Sequence, residues 1–366
     1  MMDDSNMHPR TIARLAAGVT HGAAAAANQA ATYVYVANAD SRDISVLQLS
    51  LADGGLVPIE TVPVDGTVMP MAISPDKRVL YAALRSQPYR VVSFAIDATS
   101  GRLKKLGEAS LADSMANIDV DRSGRWLFAA SYGGNKITVN AIDKDGLVGA
   151  VQQVVPTGPK AHAIHVDAGN RFVLATSLGG DVVSSWRFDD AAGTLRPNEP
   201  ALVAMPAKSG PRHFVWDKFQ RHVYLLGELD ASLAVFDYDA ARGTLTEIQR
   251  TTAMPAGFGG TAWAADLHIA PDGRHLYASE RNSSTLTAYE VDSTTGTLKT
   301  LASVATEKTP RGFAIDPSGR YLVASGQESH RIAVYAIDPD NGALRVLHSD
   351  AVGKNPNWVE IVCFLP

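Results

Sequence analysis

The sequence predicts an all-β protein: a single seven-bladed β-propeller with four antiparallel strands per blade, whose ring is closed when the C-terminal strand joins the N-terminal blade. Three observations predict it. A nine-residue phrase recurs six times, helical periodicity is absent from residue 32 onward, and each end of the chain carries part of one more unit. The phrase runs SPDKRVLYA (74–82), DRSGRWLFA (121–129), DAGNRFVLA (167–175), DKFQRHVYL (217–225), APDGRHLYA (270–278) and DPSGRYLVA (316–324). Its arginines, Arg78, Arg125, Arg171, Arg221, Arg274 and Arg320, are 46 to 53 residues apart. That period, with four short strands in each, is the length of a propeller blade.

Within a unit the elements follow in order. A short apolar strand leads into a Pro/Asp/Gly turn, and a second strand rich in Val, Tyr and Leu follows. After a polar loop comes an alternating third strand such as IAVYAI (332–337), then a turn such as DSTTGTL (292–298) and a more polar fourth strand. The repeated arginines, beside these turns, read as solvated turn residues. One step before Arg78 the chain opens directly on a second strand, YVYVA, with no first strand before it. The last segment, NPNWVEIV (355–362), is a first strand with nothing after it. Pairing the two removes the exposed edges of an open ring.

The 366 residues are 46% hydrophobic and 19% charged, with a net charge of −5, which argues against a general affinity for nucleic acid or anionic membrane. No apolar run approaches the ~20 residues that span a bilayer. The single cysteine, Cys363, reads as a small apolar residue of a terminal strand and excludes an intrachain disulfide. Residues 1–31, alanine-rich and of low complexity, form an N-terminal extension expected to be disordered and outside the propeller of 32–366. Arg10 and Arg14 ahead of the alanines resemble an export signal faintly, but no Leu/Ile/Val run follows, so the cytoplasm is the expected location. Oligomeric state is not encoded in any readable pattern.

The repeat also locates a site. Nine residues before each repeated arginine, where the innermost strand begins, stand Met69, Ala116, His162, Arg212, Ala265 and Arg311. Seven residues after it, where the second strand ends, stand Arg85, Tyr132, Leu178, Glu228, Arg281 and Gln327. Antiparallel pairing brings both sets to one mouth of the central channel. A scaffold repeat keeps one residue type at equivalent positions. Here the type changes from blade to blade, and His213 and Asp266 add to the polar set. Several arginines facing one channel repel one another unless an anion joins them, and the guanidinium fork suits phosphate or carboxylate.

No phosphate-binding GxxxxGK[ST] loop, GxSxG elbow, HExxH or cysteine cluster is present, so the residues call for no metal and no cofactor. A histidine and a carboxylate among arginines are equipped for general acid/base chemistry on a small anion.

At GPRH (210–213), WAADLHIAPDGRHLYASER (263–281), TPRGF (309–313) and SGQESHRIAVY (325–335) the chain resembles the bacterial propeller-type 6-phosphogluconolactonases, over roughly residues 32–362. The resemblance implies hydrolysis of 6-phospho-D-glucono-1,5-lactone to 6-phosphogluconate in the oxidative pentose phosphate pathway, with a small sugar-phosphate lactone as partner. Related fungal carboxymuconate lactonising enzymes imply His162, Glu228, Arg212 and Arg281 as catalytic residues. Arg311, His213, Arg85, Gln327, Tyr132 and Asp266 are the expected substrate contacts. Either Glu228 or His162 is the base. Gly227 departs from the family pattern, where an Asn is expected before the Glu. Two other readings remain open: a different lactone hydrolase or muconate-type cycloisomerase, and a non-enzymatic binding propeller.

Overall fold

The computed structural model describes residues 31–365. Their regular structure consists of 28 strands and one short 3-10 turn, Leu178–Gly180. The strands form seven four-stranded antiparallel sheets. Blade 1 is composite: Pro356–Phe364 pairs with Ala31–Asn38, which pairs in turn with Asp43–Leu49 and then Leu56–Pro63. The closing ladder runs from Ala31 opposite Phe364 to Asn38 opposite Pro356. Ala31, the first described residue, already belongs to the first strand. The remainder of the N-terminal extension lies outside the described residues. Among the described residues no helix is long and apolar enough to cross a membrane.

The polarity gradient across each unit follows from stacking of the blades. Second strands such as Val79–Leu84 and Phe172–Ser177 are buried at every position, because neighbouring blades cover both faces. The outermost Val148–Pro156 strand mostly alternates between covered and open residues. Blades are stapled by second-strand tyrosines: Tyr35, Tyr224 and Tyr277 donate to the carbonyls of Gly101, Gly296 and Gly342 in the next blade, at 2.8, 3.0 and 2.9 Å. Gly296 itself is left-handed (φ 69°), and a Cβ there would lie 2.3 Å from the His222 ring, so this hairpin accepts only glycine.

Four of the six repeated arginines are more than solvated turn residues. Arg125, Arg171 and Arg221 donate through Nη2 to the carbonyls of Asp190, Ala240 and Ser293, at 2.9, 2.8 and 2.7 Å, and Arg274 bonds the Pro339 carbonyl in the same way. Each bond reaches the next blade's outer hairpin. Arg78 and Arg320 instead bond within their own turns, to Asp76 Oδ2 at 2.6 Å and Ser318 Oγ at 3.2 Å.

Innermost strands line the channel, and their ladders break at the same place. The register shifts between Ala161 and Ile164, Pro211 and Phe214, Ala264 and Leu267, and Pro310 and Phe313. A bulge of this kind re-aims side chains. Consecutive residues, such as Arg212 and His213, consequently face different parts of the channel instead of simply alternating.

Candidate functional site

The two strand offsets do meet at one mouth. Arg85, Tyr132, His162, Glu228, Arg281 and Arg311 line a cavity of about 280 Å3, together with Ala116 and Trp263. Arg212 lies just beneath, 1% exposed. Its Nε donates to Glu228 Oε2 at 2.8 Å, and Arg281 Nη2 donates to the same oxygen at 2.8 Å. Arg212 is further anchored on the Ala265 carbonyl, and Arg281 on those of Trp263 and Ala264, at 3.0 and 2.9 Å. The Arg281 guanidinium stacks 3.9 Å from the Trp263 ring centroid.

Burial alone would raise the Glu228 pKa, but Arg212 and Arg281 outweigh it and hold the carboxyl below its ordinary value. Arg281 is pushed down to about 9 by burial and by Arg212, against the pull of Glu228. Burial, Arg212, Arg281 and Arg85 push Arg311 down strongly. Guanidinium groups stay protonated in proteins, so these pressures express crowding of like charge that an incoming anion relieves. Four guanidinium groups surround the cavity against one carboxylate, with Glu280 one layer behind, occupied by Trp263 N and Ser283. Among the described residues Arg85 and Arg311 have no carboxylate partner; Arg85 bonds Ser114 Oγ at 3.0 Å and Met69 Sδ at 3.3 Å.

His162 is buried in this cationic shell. Burial first, then Arg212, His213, Arg311 and Arg281, push its pKa well below 6.5, so the imidazole is neutral at physiological pH. Its Nδ1 is buried without a hydrogen-bond partner. The Tyr132 ring stands edge-on to it at 6.0 Å.

Three of the expected substrate contacts stand elsewhere. His213 and Asp266 lie below the arginines and open onto a second cavity of about 460 Å3 at the other end of the channel. His213 Nδ1 is 2.7 Å from Asp266 Oδ1, and burial and Arg212 push the His213 pKa down to about 4 despite that carboxylate. Gln327 is absent from the cavity lining and donates to Asn355 Oδ1 at 2.7 Å. In the second cavity the carboxylates have near partners: Asp119 with His165, Asp266 with His268, and Glu360 with the Trp358 indole. It holds one arginine, Arg122, beside these three carboxylates, so the mouth lined by Arg85, Arg281 and Arg311 is the better candidate for binding an anion.

Sequence reasoning missed Trp263, which carries the stacked face of Arg281. Its signal lay in its place immediately before the Ala264–Ile269 strand. Gly227, the departure from the expected pattern, has a steric reason. A Cβ there would lie 2.5 Å from Asp230 Oδ1 and 2.7 Å from the Ser209 carbonyl.

The profile of a family described as "Lactonase, 7-bladed beta-propeller" matches residues 25–361. A 6-phosphogluconolactonase of Pectobacterium carotovorum is 41% identical over 283 residues, 77% of this chain and 84% of that protein. One from Erwinia tasmaniensis is 40% identical over the same shares. Among solved structures, the periplasmic gluconolactonase of Pseudomonas aeruginosa superposes with a TM-score of 0.84 at 28% identity, covering 92% of this chain and all of that one. A 6-phosphogluconolactonase-like protein of Bacteroides fragilis, at 24% identity and the same TM-score, shares the fold over 91% of this chain and 98% of its own. The chain belongs to the family of seven-bladed β-propeller lactonases.

Proposed function

We propose that this lactonase hydrolyses 6-phospho-D-glucono-1,5-lactone to 6-phosphogluconate, in the cytoplasm, where sugar phosphates are kept, and as a step of the pentose phosphate pathway. The observation that carries the reading is the pair of guanidinium groups, Arg85 and Arg311, beside a neutral His162 and without carboxylate partners among the described residues. They are suited to a phosphate, which takes charge-assisted hydrogen bonds from a guanidinium fork.

His162 is the better base of the two candidates. Glu228 Oε2 is already taken by Arg212 and Arg281, which commits the carboxylate to holding the arginines. With Nδ1 buried, Nε2 is the nitrogen a water in the cavity can reach. Water attacks the lactone carbonyl carbon and His162 Nε2 takes its proton. Arg281, held in place by Glu228 and Trp263, faces the oxyanion. When the intermediate collapses, the C1–ring oxygen bond breaks and the imidazolium returns its proton to that oxygen. The acid formed loses its own proton to solvent.

A second reading, an unphosphorylated lactone as substrate, is favoured by the structural likeness to a gluconolactonase. Initial rates on phosphorylated and unphosphorylated gluconolactone, with the spontaneous rate subtracted, separate the two. Preference for the phosphorylated lactone supports the proposal. Equal or better turnover of the other overturns it. The muconate-type alternative requires lactone formation from an open acid under the same conditions.

A further inference from the structure

We propose that Asp266 and His213 form a positioning pair for His162, fixing its proton on Nδ1 and sharing the positive charge that develops when the ring accepts a second proton. The inference rests on the reading of His162 as the base.

Among the described residues two buried imidazole nitrogens lack partners, His162 Nδ1 and His213 Nε2. The two rings face each other at 5.1 Å between centroids, inclined by 62°. Each nitrogen needs what the other offers. His213 donates from Nδ1 to Asp266, so its Nε2 carries a lone pair, and a proton on His162 Nδ1 is the complementary donor. No hydrogen bond joins them in this geometry, and the proposed bond requires the rings to reorient until the two nitrogens come within reach. An unmade bond at two buried nitrogens is otherwise costly.

The lower end of the chain is rigid. Asp266 Oδ1 takes His213 Nδ1 at 2.7 Å and Leu267 N at 3.0 Å, while Oδ2 takes His268 Nε2 at 3.2 Å and Phe313 N at 3.2 Å. These bonds and the two histidines hold Asp266 ionised in spite of its burial. The bulges at the start of these two inner strands turn His213 and Asp266 down the channel while Arg212 stays beneath the mouth.

The charge around His162 supplies the reason for such a pair. Arg212, Arg281 and Arg311 all disfavour an imidazolium there, and no carboxylate bonds the ring. Glu228 is committed to Arg212 and Arg281. His213 faces Arg212, Asp266 and His165, and Asp266 faces His268, with Glu360 and Asp119 beyond it across the second cavity. The negative charge that reaches His162 from below therefore passes through His213. In a catalytic triad a carboxylate fixes the tautomer of its histidine directly; here the same action is relayed through one more ring. No proton leaves the chain. His162 Nε2 takes the proton of water and gives it to the departing ring oxygen, and the hydrogen bonds from His162 to His213 and from His213 to Asp266 only strengthen in between.

The test compares Asp266→Asn and His213→Gln with the unmodified full chain, using 6-phosphogluconolactone, kcat and KM measured from pH 4 to 8, and thermal unfolding to confirm folding. Both variants should lose kcat on the order of ten- to hundredfold, as removal of an orienting outer partner does, with KM little changed. The acid limb of kcat should move to lower pH, because Asp266→Asn removes the supporting negative charge and His213→Gln removes the ring through which that charge reaches His162. In a His162→Ala background, His213→Gln should cause no further loss. Unchanged kcat and acid limb overturn the inference, as does a loss of kcat with an unmoved limb, which marks a merely structural role. Asp266→Asn also disturbs the bonds to Phe313 and His268, so His213→Gln, which leaves them in place, decides if the first variant fails to fold. His162→Ala alone tests the underlying reading: wild-type activity there removes the base itself, whereas an inactive His162→Ala beside unaffected pair variants removes only the pair.

Discussion

Replacing Glu228 with Gln separates an organising carboxylate from a catalytic base. The side chain keeps its shape, and its oxygen still accepts from both arginines. What is lost is the charge that balances Arg212 and Arg281, two guanidinium groups 1% and 3% exposed, each 2.8 Å from the same oxygen. Breaking a buried ion pair from one side costs about 3–5 kcal/mol, and four arginines would then surround the cavity with no carboxylate among its lining residues. Glu228→Gln should accordingly lower stability by about that amount in urea unfolding. Phosphate should bind the folded variant more tightly, because the uncompensated positive charge attracts it. With His162 as the base, kcat should fall about tenfold through misplacement of Arg281, well short of the 10²–10⁴-fold that loss of a general base produces. The acid limb of the rate profile should persist and move to lower pH, since a less negative surround lowers the His162 pKa further. A loss of three or more orders of magnitude, with stability unchanged and the acid limb gone, would refute this reasoning and make Glu228 the base.

Removing residues 355–366 deletes the Pro356–Phe364 strand, with Val359, Val362 and Cys363 buried and Asn357 bonded to both Ala37 and Val68. At about 1.5–3 kcal/mol for each buried valine plus the lost ladder, most of a typical domain's stability goes, and the truncated chain should unfold at ambient temperature by circular dichroism. Gly296→Ala should lower the melting temperature by several degrees in calorimetry, since it adds left-handed strain of about 1–2 kcal/mol and a clash with His222. The wild-type rate should stay on its plateau from pH 8 down past 6.5. His162 is depressed below that value, so its basic form persists until the pH falls through the lower pKa. Activity should survive exhaustive chelation, because guanidinium groups supply the positive charge at the oxyanion; loss on chelation and rescue by a divalent ion would contradict that.

The fold was legible because each blade repeats one pattern of burial, and burial sets composition. The composite first blade was legible as well, because the YVYVA segment and the NPNWVEIV segment each lack the partner that the other provides. The mouth could be found from offsets alone, since antiparallel pairing ties the start of one strand to the end of the next. The boundary between mouth and floor was not legible. Simple alternation does not say that a bulge leaves Arg212 beneath the arginine cavity and sends the adjacent His213 to the other one. Nor does it show that Gln327 bonds Asn355, a residue of the loop before the closing strand. Four of the turn arginines were undervalued for a related reason: their partners are carbonyls in the next blade, 65 to 72 residues ahead, and no local pattern records them.

Arg85 and Arg311, without carboxylate partners among the described residues, are expected to select a phosphorylated lactone. The ratio of kcat/KM for phosphorylated over unphosphorylated gluconolactone, in the unmodified protein and in the Arg85→Ala, Arg311→Ala double variant, decides this. Each charge-assisted contact is worth about 1.5–3 kcal/mol, so the ratio should fall by two to four orders of magnitude in the double variant. The fall should come through KM for the phosphorylated lactone, with the unphosphorylated lactone turned over as before. A ratio that stays the same in the double variant, or that already lies near one in the unmodified protein, contradicts the claim.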